Sequence, residues 1–287
     1  MLTSLNIITP SPKCGLTRAL FRLRGDSVAE EIIAGKGFSL RRITYTCRSG
    51  RVKPKKLYKR LGKNALVLAP DGCALPGGIR RFCSNSFSQR LCVNMALGAL
   101  RLAKNAAGLR LGIYDPEAVA PDFLLEALRL CRSPVAVTYD ALPYEEIKRR
   151  ALDELGASAI ITRSSGELKN CDLIVAPTKI GAYLPVKSSA VVLTAGEPYI
   201  RLPGRIYYKY SLNLPPELER LIPPELDAEY FCSALYSLRS FYNLGSAVPA
   251  SCRGKNACLT PAALSGLIDS LSEQPRTKPS LGADTFS

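Results

Sequence analysis

The chain has 287 residues, of which 47% are hydrophobic and 22% charged, a composition that supports a sizeable core and excludes wholesale disorder. It contains no histidine, so Ser-His-Asp and Cys-His catalysis are excluded, and the commonest neutral-pH base and metal ligand are missing. The net charge of +15 is unevenly placed: residues 1–110 hold 21 Lys or Arg against 4 Asp or Glu, while residues 111–287 hold 18 against 20.

At the N-terminus, LNIIT at 5–9 reads as a strand ahead of the turn PSP. The first 25 residues carry four basic residues and no acid, as some transit peptides do, yet they lack the apolar core and cleavage site of a secretory signal. A polar stretch with Gly25, Gly35 and Gly37 follows, and LRRITYTC at 40–47 alternates as a strand does. Pro54 opens a short helix that Gly62 closes after Leu61. ALVLAP at 65–70 is a buried strand, DGCALPGG at 71–78 a loop, and 85–106 a long helix with Phe87, Leu91, Met95, Ala99 and Leu102 on one face.

The run RSGRVKPKKLYKRLGK at 48–63 holds eight basic residues and no acid. Such a run can collect phosphate backbones through counterion release, and charge reversal at Lys55, Lys56 and Lys59 would then weaken binding to all sequences alike. Tyr58 is the one aromatic inside it, and no zinc finger, RRM or KH pattern accompanies it. A solvated basic surface is the preferred reading over a nucleic-acid contact.

From residue 110 the alternation is cleaner. Strands are predicted at 110–115, 134–140, 157–162, 171–177 and 189–195, with helices at 120–131 and 143–156 and only a turn at 163–170. Short apolar strands separated by amphipathic helices argue for an α/β fold, a three-layer parallel sheet in the order 3-2-1-4-5. RLPGRIYYKY, beginning at Arg201, reads as a hairpin or edge strand. Asp227 and Thr260 cap two further helices. Tyr230, Phe231, Ala234, Leu235, Leu238 and Phe241 form an apolar face on the first of them, for the sheet or a twin subunit. The expected domains are a smaller basic α/β domain at 1–108, the parallel-sheet domain at 109–271, and a disordered tail at 272–287.

Over 110–196 this order of strands and helices resembles the Rossmann superfamily. The resemblance implies a ligand site beyond the carboxyl ends of the strands, where Asp115, Asp140, Arg163, Thr178, Lys179 and Thr194 fall. The Rossmann glycine turn that cradles pyrophosphate is absent. YDPEAVAPD stands in its place, with a proline that lacks an N–H and with Asp115, Glu117 and Asp122 where a phosphate would go. Tight NAD or NADP binding is therefore not expected. Asp115, Asp140, Arg163 and Lys179 are the candidate ligand contacts, and a Lys179–Asp115 pair would keep proton-transfer chemistry open.

Ten cysteines are spread along the chain without C-x-x-C spacing, which favours a reduced, cytoplasmic protein without a metal site. The sequence names no cofactor. It supports a protein that binds a small ligand or partner at the sheet edge and that can self-associate. The alternatives are a divergent NAD(P)-dependent oxidoreductase and a nucleic-acid-associated protein acting through its basic half.

Overall fold

The computed structural model describes residues 1–10, 25–238 and 242–273. Strands β1 (Leu2–Ile8), β2 (Ser27–Ala34) and β3 (Ser39–Thr46) precede helix α1 (Pro54–Leu61) and the short strands β4 (Leu66–Val67) and β5 (Arg80–Arg81). Helix α2 (Ser86–Leu102) leads to β6 (Leu111–Tyr114), α3 (Asp122–Leu128), β7 (Val135–Val137), α4 (Ala141–Leu155) and β8 (Ile160–Thr162). Then come a 3-10 helix (Ser165–Asn170), β9 (Leu173–Ala176), β10 (Val191–Thr194), β11 (Arg205–Tyr207) and β12 (Lys209–Ser211). Helices α5 (Pro216–Glu219) and α6 (Ala228–Ser237), strands β13 (Ser251–Arg253) and β14 (Cys258–Leu259), and helix α7 (Pro261–Ser272) complete it. The turn expected at PSP, Cys14, Phe241 and the tail beyond 273 lie outside the described residues.

The chain divides into two compact units, 1–91 with 210–250 and 92–209 with 251–287. The division falls within α2, and the drop in charge near residue 110 lies inside the second unit.

In the first unit β3 is central, parallel to β1 and antiparallel to β2. Its inward residues Ile43 and Tyr45 pack with Leu5, Leu57, Val67 and Ile79. The polar stretch after Gly25 contains a full strand. β2 buries almost nothing, so it shows none of the alternation that marks a half-buried strand. Its register comes from the hairpin at Gly35, whose N–H donates to Phe38 O at 2.9 Å, with Gly37 at φ +82. Within the same unit Arg42 holds Glu225 through Nε at 3.3 Å and Nη2 at 2.8 Å. On α6, Tyr230 donates its hydroxyl to Phe82 O at 2.9 Å, and Tyr236 packs on Phe87 with ring centroids 5.3 Å apart.

The second unit is built on a six-stranded sheet in the order β11-β10-β9-β6-β7-β8, and every pairing is parallel. Counted from β6 this is 3-2-1-4-5-6, the doubly wound Rossmann-like order. The five expected strands hold their places, and RIY at 205–207 adds a sixth parallel edge strand instead of a hairpin. Every residue of β6, β9 and β10 is buried, so both faces of the sheet are covered. Helix α2 ends at Leu102, earlier than the apolar period suggested, and its Cys92 thiol donates to Ala176 O at 3.6 Å. Gly112 in the central strand lets the 3-10 helix pack closely, because a Cβ there would meet Leu168 Cδ2 at 2.7 Å and Cys171 Sγ at 2.9 Å. Helix α4 stops at Gly156 with φ +62, and Asp227 and Thr260 cap α6 and α7 through their side chains.

Candidate functional site

The carboxyl ends of β6 and β9 flank the point where strand order reverses, the place at which an open parallel sheet offers a crevice. Asp115 follows β6 directly and is fully buried. Its Oδ1 accepts the Val119 N–H at 3.0 Å, and its Oδ2 accepts the Ala120 N–H at 2.9 Å and the Tyr144 hydroxyl at 2.8 Å. The loop is tied further by Ala118 N–H to Asp115 O at 3.1 Å and by Tyr139 N–H to Pro116 O at 3.0 Å. Ala118 carries a φ of +50, a conformation that a glycine would adopt without strain.

These contacts replace the electrostatic expectation with a structural one. In a dinucleotide-binding turn, N–H groups at the start of the following helix receive the pyrophosphate. Here two N–H groups ahead of α3 are taken by the chain's own carboxylate. The Val119 and Ala120 N–H groups of this turn thus already have an acceptor within the chain. Burial, followed by the Asp115 charge and hydrogen bond, pushes the Tyr144 hydroxyl far above its ordinary pKa, so Tyr144 stays a donor. Sequence reasoning missed Tyr144, which lies on α4, after the next strand, and whose spacing carries no motif.

Lys179, in the loop after β9, is exposed. Its ammonium lies 3.6 Å from the centroid of the Tyr199 ring, a cation–π contact. The loops after β9 and β10 are joined: Thr194 Oγ1 donates to Thr178 O at 2.9 Å, and Tyr199 N–H donates to Ile180 O at 3.0 Å. Gly196 lies along the Lys179 stem, where a Cβ would meet Lys179 Cδ at 3.7 Å. The anticipated Lys179–Asp115 pair is not formed. Asp115 is buried with both oxygens committed to the β6 loop and Tyr144, whereas Lys179 extends over Tyr199. Tyr199 was also missed, since no periodicity marks a residue in an irregular loop.

Asp140 and Arg163 are exposed at the ends of β7 and β8. Asp140 occupies the cap position of α4 without a side-chain cap bond, and its carbonyl accepts the Thr138 hydroxyl at 3.1 Å. No ion pair among the described residues joins Asp140 or Arg163 to Lys179. The four candidates therefore share one edge of the sheet without forming a bonded cluster.

At the opposite, amino edge a cavity of about 600 Å³ is lined by Asn105, Arg110, Arg132, Glu167 and Cys171 among others. Burial pushes the Cys171 thiol up to about 12, with the Asp172 charge adding to it, which favours the protonated thiol. Among the described residues no cluster of three His, Cys, Asp or Glu could hold a metal, and no helix is long and apolar enough to cross a membrane.

The chain matches no family model and no curated protein sequence. It has structural similarity to the Thermococcus litoralis Δ1-pyrroline-2-carboxylate reductase in complex with NADH and L-proline, at 10% identity and a TM-score of 0.29 over 61% of this chain and 60% of that one. An archaeal alanine dehydrogenase dimer with bound NAD gives 16% identity and a TM-score of 0.27 over 65% of each chain. L-tryptophan dehydrogenase from Nostoc punctiforme gives 10% and 0.34 over 94% of this chain and 81% of that one. The chain thus spans less than two thirds of the length of the first two. The order of its own strands, not these likenesses, establishes the Rossmann-like fold.

Proposed function

We propose that the second unit binds a small acidic ligand at the carboxyl edge of its sheet, with Lys179 and Tyr199 as contacts. The observation that carries this reading is the Lys179 ammonium, held over the Tyr199 ring at 3.6 Å beside the strand-order reversal. No carboxylate pairs with it among the described residues, so a ligand carboxylate would find a cation already positioned over an aromatic ring. Asp115 supports the same reading from the other loop, because its occupation of the Val119 and Ala120 N–H groups argues against a pyrophosphate there. Asp140 and Arg163 are outer contacts in this reading. The nine described cysteines are all unpaired, which agrees with a reducing, cytoplasmic setting.

Thermal-shift titration with a panel of short mono- and dicarboxylic acids tests the reading, with NAD and NADP in parallel arms. At least one acid is expected to raise the melting temperature, and Lys179→Met should abolish that rise while leaving the unliganded melting temperature within about 2 °C, as for an exposed side chain. Low-micromolar affinity for NAD or NADP would overturn it and put the divergent oxidoreductase reading first.

A further inference from the structure

A separate groove of about 750 Å³ runs beside the edge strand β11, between the loop 197–204 and the β13–β14 turn at 254–257. Its walls are held by two glycines. A Cβ on Gly254 would stand 2.1 Å from Ile206 O, so only glycine lets the turn come this close to β11. The turn is pinned there by Tyr208 N–H donating to Arg253 O at 3.1 Å. Gly204 has a φ of +92, and a Cβ on it would lie 2.8 Å from Ala190 O.

The lining is chemically divided. Ile206 and the buried Tyr207 are the β11 part of the lining, and Tyr199 and Tyr208 add aromatic residues. Arg201, Arg205 and Lys255 bring three positive charges against the single acid Glu197. Lys255 is already matched to Glu197 at 3.3 Å. Neither Arg201 nor Arg205 enters an ion pair among the described residues. Two uncommitted guanidinium groups suit a dianionic phosphate, to which each can present a two-donor fork. A cavity of this size with apolar and aromatic walls suits a planar ring attached to that phosphate.

We propose that this groove is a binding site for a phosphate monoester carried on a planar ring, the size and charge of a nucleoside monophosphate. Arg201 and Arg205 hold the phosphate, and Tyr208 stacks on the ring. The groove borders the acid-binding reading through Tyr199, which lines it and also carries the Lys179 ammonium, but the charges that define the phosphate site, Arg201 and Arg205, are different ones.

Isothermal titration of the full chain with AMP tests the assignment, with adenosine and inorganic phosphate as separate arms. AMP is expected to bind saturably, with adenosine and phosphate each at least about tenfold weaker, because each lacks one half of the recognition. Arg201→Ala and Arg205→Ala should each weaken AMP about tenfold, whereas Arg132→Ala, which removes the same charge from the amino-edge cavity, should leave it unchanged. Affinity of the unaltered protein should also fall as salt is raised. Failure of AMP to saturate, equal affinity for inorganic phosphate, salt-independent binding, or an unchanged affinity in the Arg201→Ala/Arg205→Ala double variant would each overturn the proposal. Lys179→Met is expected to retain AMP binding, so the two readings fail separately.

Discussion

Asp26 in the first unit and Asp115 in the second are both buried aspartates that organise a turn, but their surroundings differ. Asp26 accepts the Tyr45 hydroxyl at 2.9 Å, the Arg48 and Ser49 N–H groups at 2.8 and 2.9 Å, and the Ser49 hydroxyl at 2.9 Å, with Lys53 Nζ 3.9 Å away. Asp115 is held by two N–H groups and a tyrosine hydroxyl, and among the described residues no cation pairs with it. Around Asp115 the hydrogen-bonding capacity of a buried carboxyl is met by neutral donors, whereas around Asp26 a lysine also approaches. In the basic unit, part of the 48–63 run is tied back to the Asp26 turn. Lys56 Nζ donates to Asp26 O at 2.7 Å, so that lysine already has a partner within the fold. In the sheet unit, the chain's own acid takes the place at which the resembled fold would receive a ligand anion.

The comparison is broken most directly by Asp115→Ala. Val119 N–H, Ala120 N–H and the Tyr144 hydroxyl all lose their acceptor in a buried turn, and the expected cost is about 3 kcal/mol. Urea denaturation measures it, and a loss below about 1 kcal/mol would mean that the turn does not depend on its internal anion.

Asp26 comes next, and its effect depends on pH. Burial acts to raise its pKa, but the Ser49 N–H, the Tyr45 hydroxyl, the Arg48 N–H and the Ser49 hydroxyl more than offset this and hold it at about 2. A carboxyl more acidic in the folded than in the unfolded chain stabilises the fold above its unfolded pKa. That contribution, about 2 kcal/mol, is lost as the pH falls from about 4 through about 2. Asp26→Asn should lose the contribution at neutral pH and flatten the stability profile across that window. A variant curve parallel to that of the unaltered protein would contradict the hydrogen-bond account.

Paired tyrosine substitutions sharpen the contrast. Tyr144→Phe removes one donor to Asp115, with an expected loss of about 1 kcal/mol. Tyr45→Phe removes a donor to Asp26 and also the acceptor of the Lys53 N–H, so its loss should be larger, about 2 kcal/mol by the same measurement. The smallest effect is expected from Lys53→Met. Its Nζ is 3.9 Å from Asp26 and its side chain is 58% exposed, so stability should change by less than about 0.5 kcal/mol.

Much of the second unit was legible because its signals are local. Apolar runs mark β6, β9 and β10, proline and glycine punctuate the helices, and Asp227 and Thr260 stand where caps belong. The candidate site was legible only as an edge: Asp115, Asp140, Arg163 and Lys179 do fall at strand ends. Their partners were not legible. Tyr144 meets Asp115 across another strand and the first turn of the next helix, and Tyr199 meets Lys179 through a loop with no period to read. The strand β2 was hidden for the opposite reason, since neither of its faces is buried enough to leave an alternating pattern.

The sequence by itself determined the strand-and-helix alternation, the absence of the glycine turn and the concentration of charge in the first 110 residues, because composition and near-neighbour spacing decide each of these. Only the tertiary structure decided that β11 joins the sheet in parallel, that residues 210–250 belong with the N-terminal unit, and that Asp115 turns inward to take the N–H groups of its own loop. It alone placed Arg201 and Arg205 in one groove with Lys255 of a distant hairpin. The physical reason is common to all of these. A hydrogen bond, a register or a cavity wall is shared between segments far apart in the chain, and packing selects it after each segment's local preference has been met.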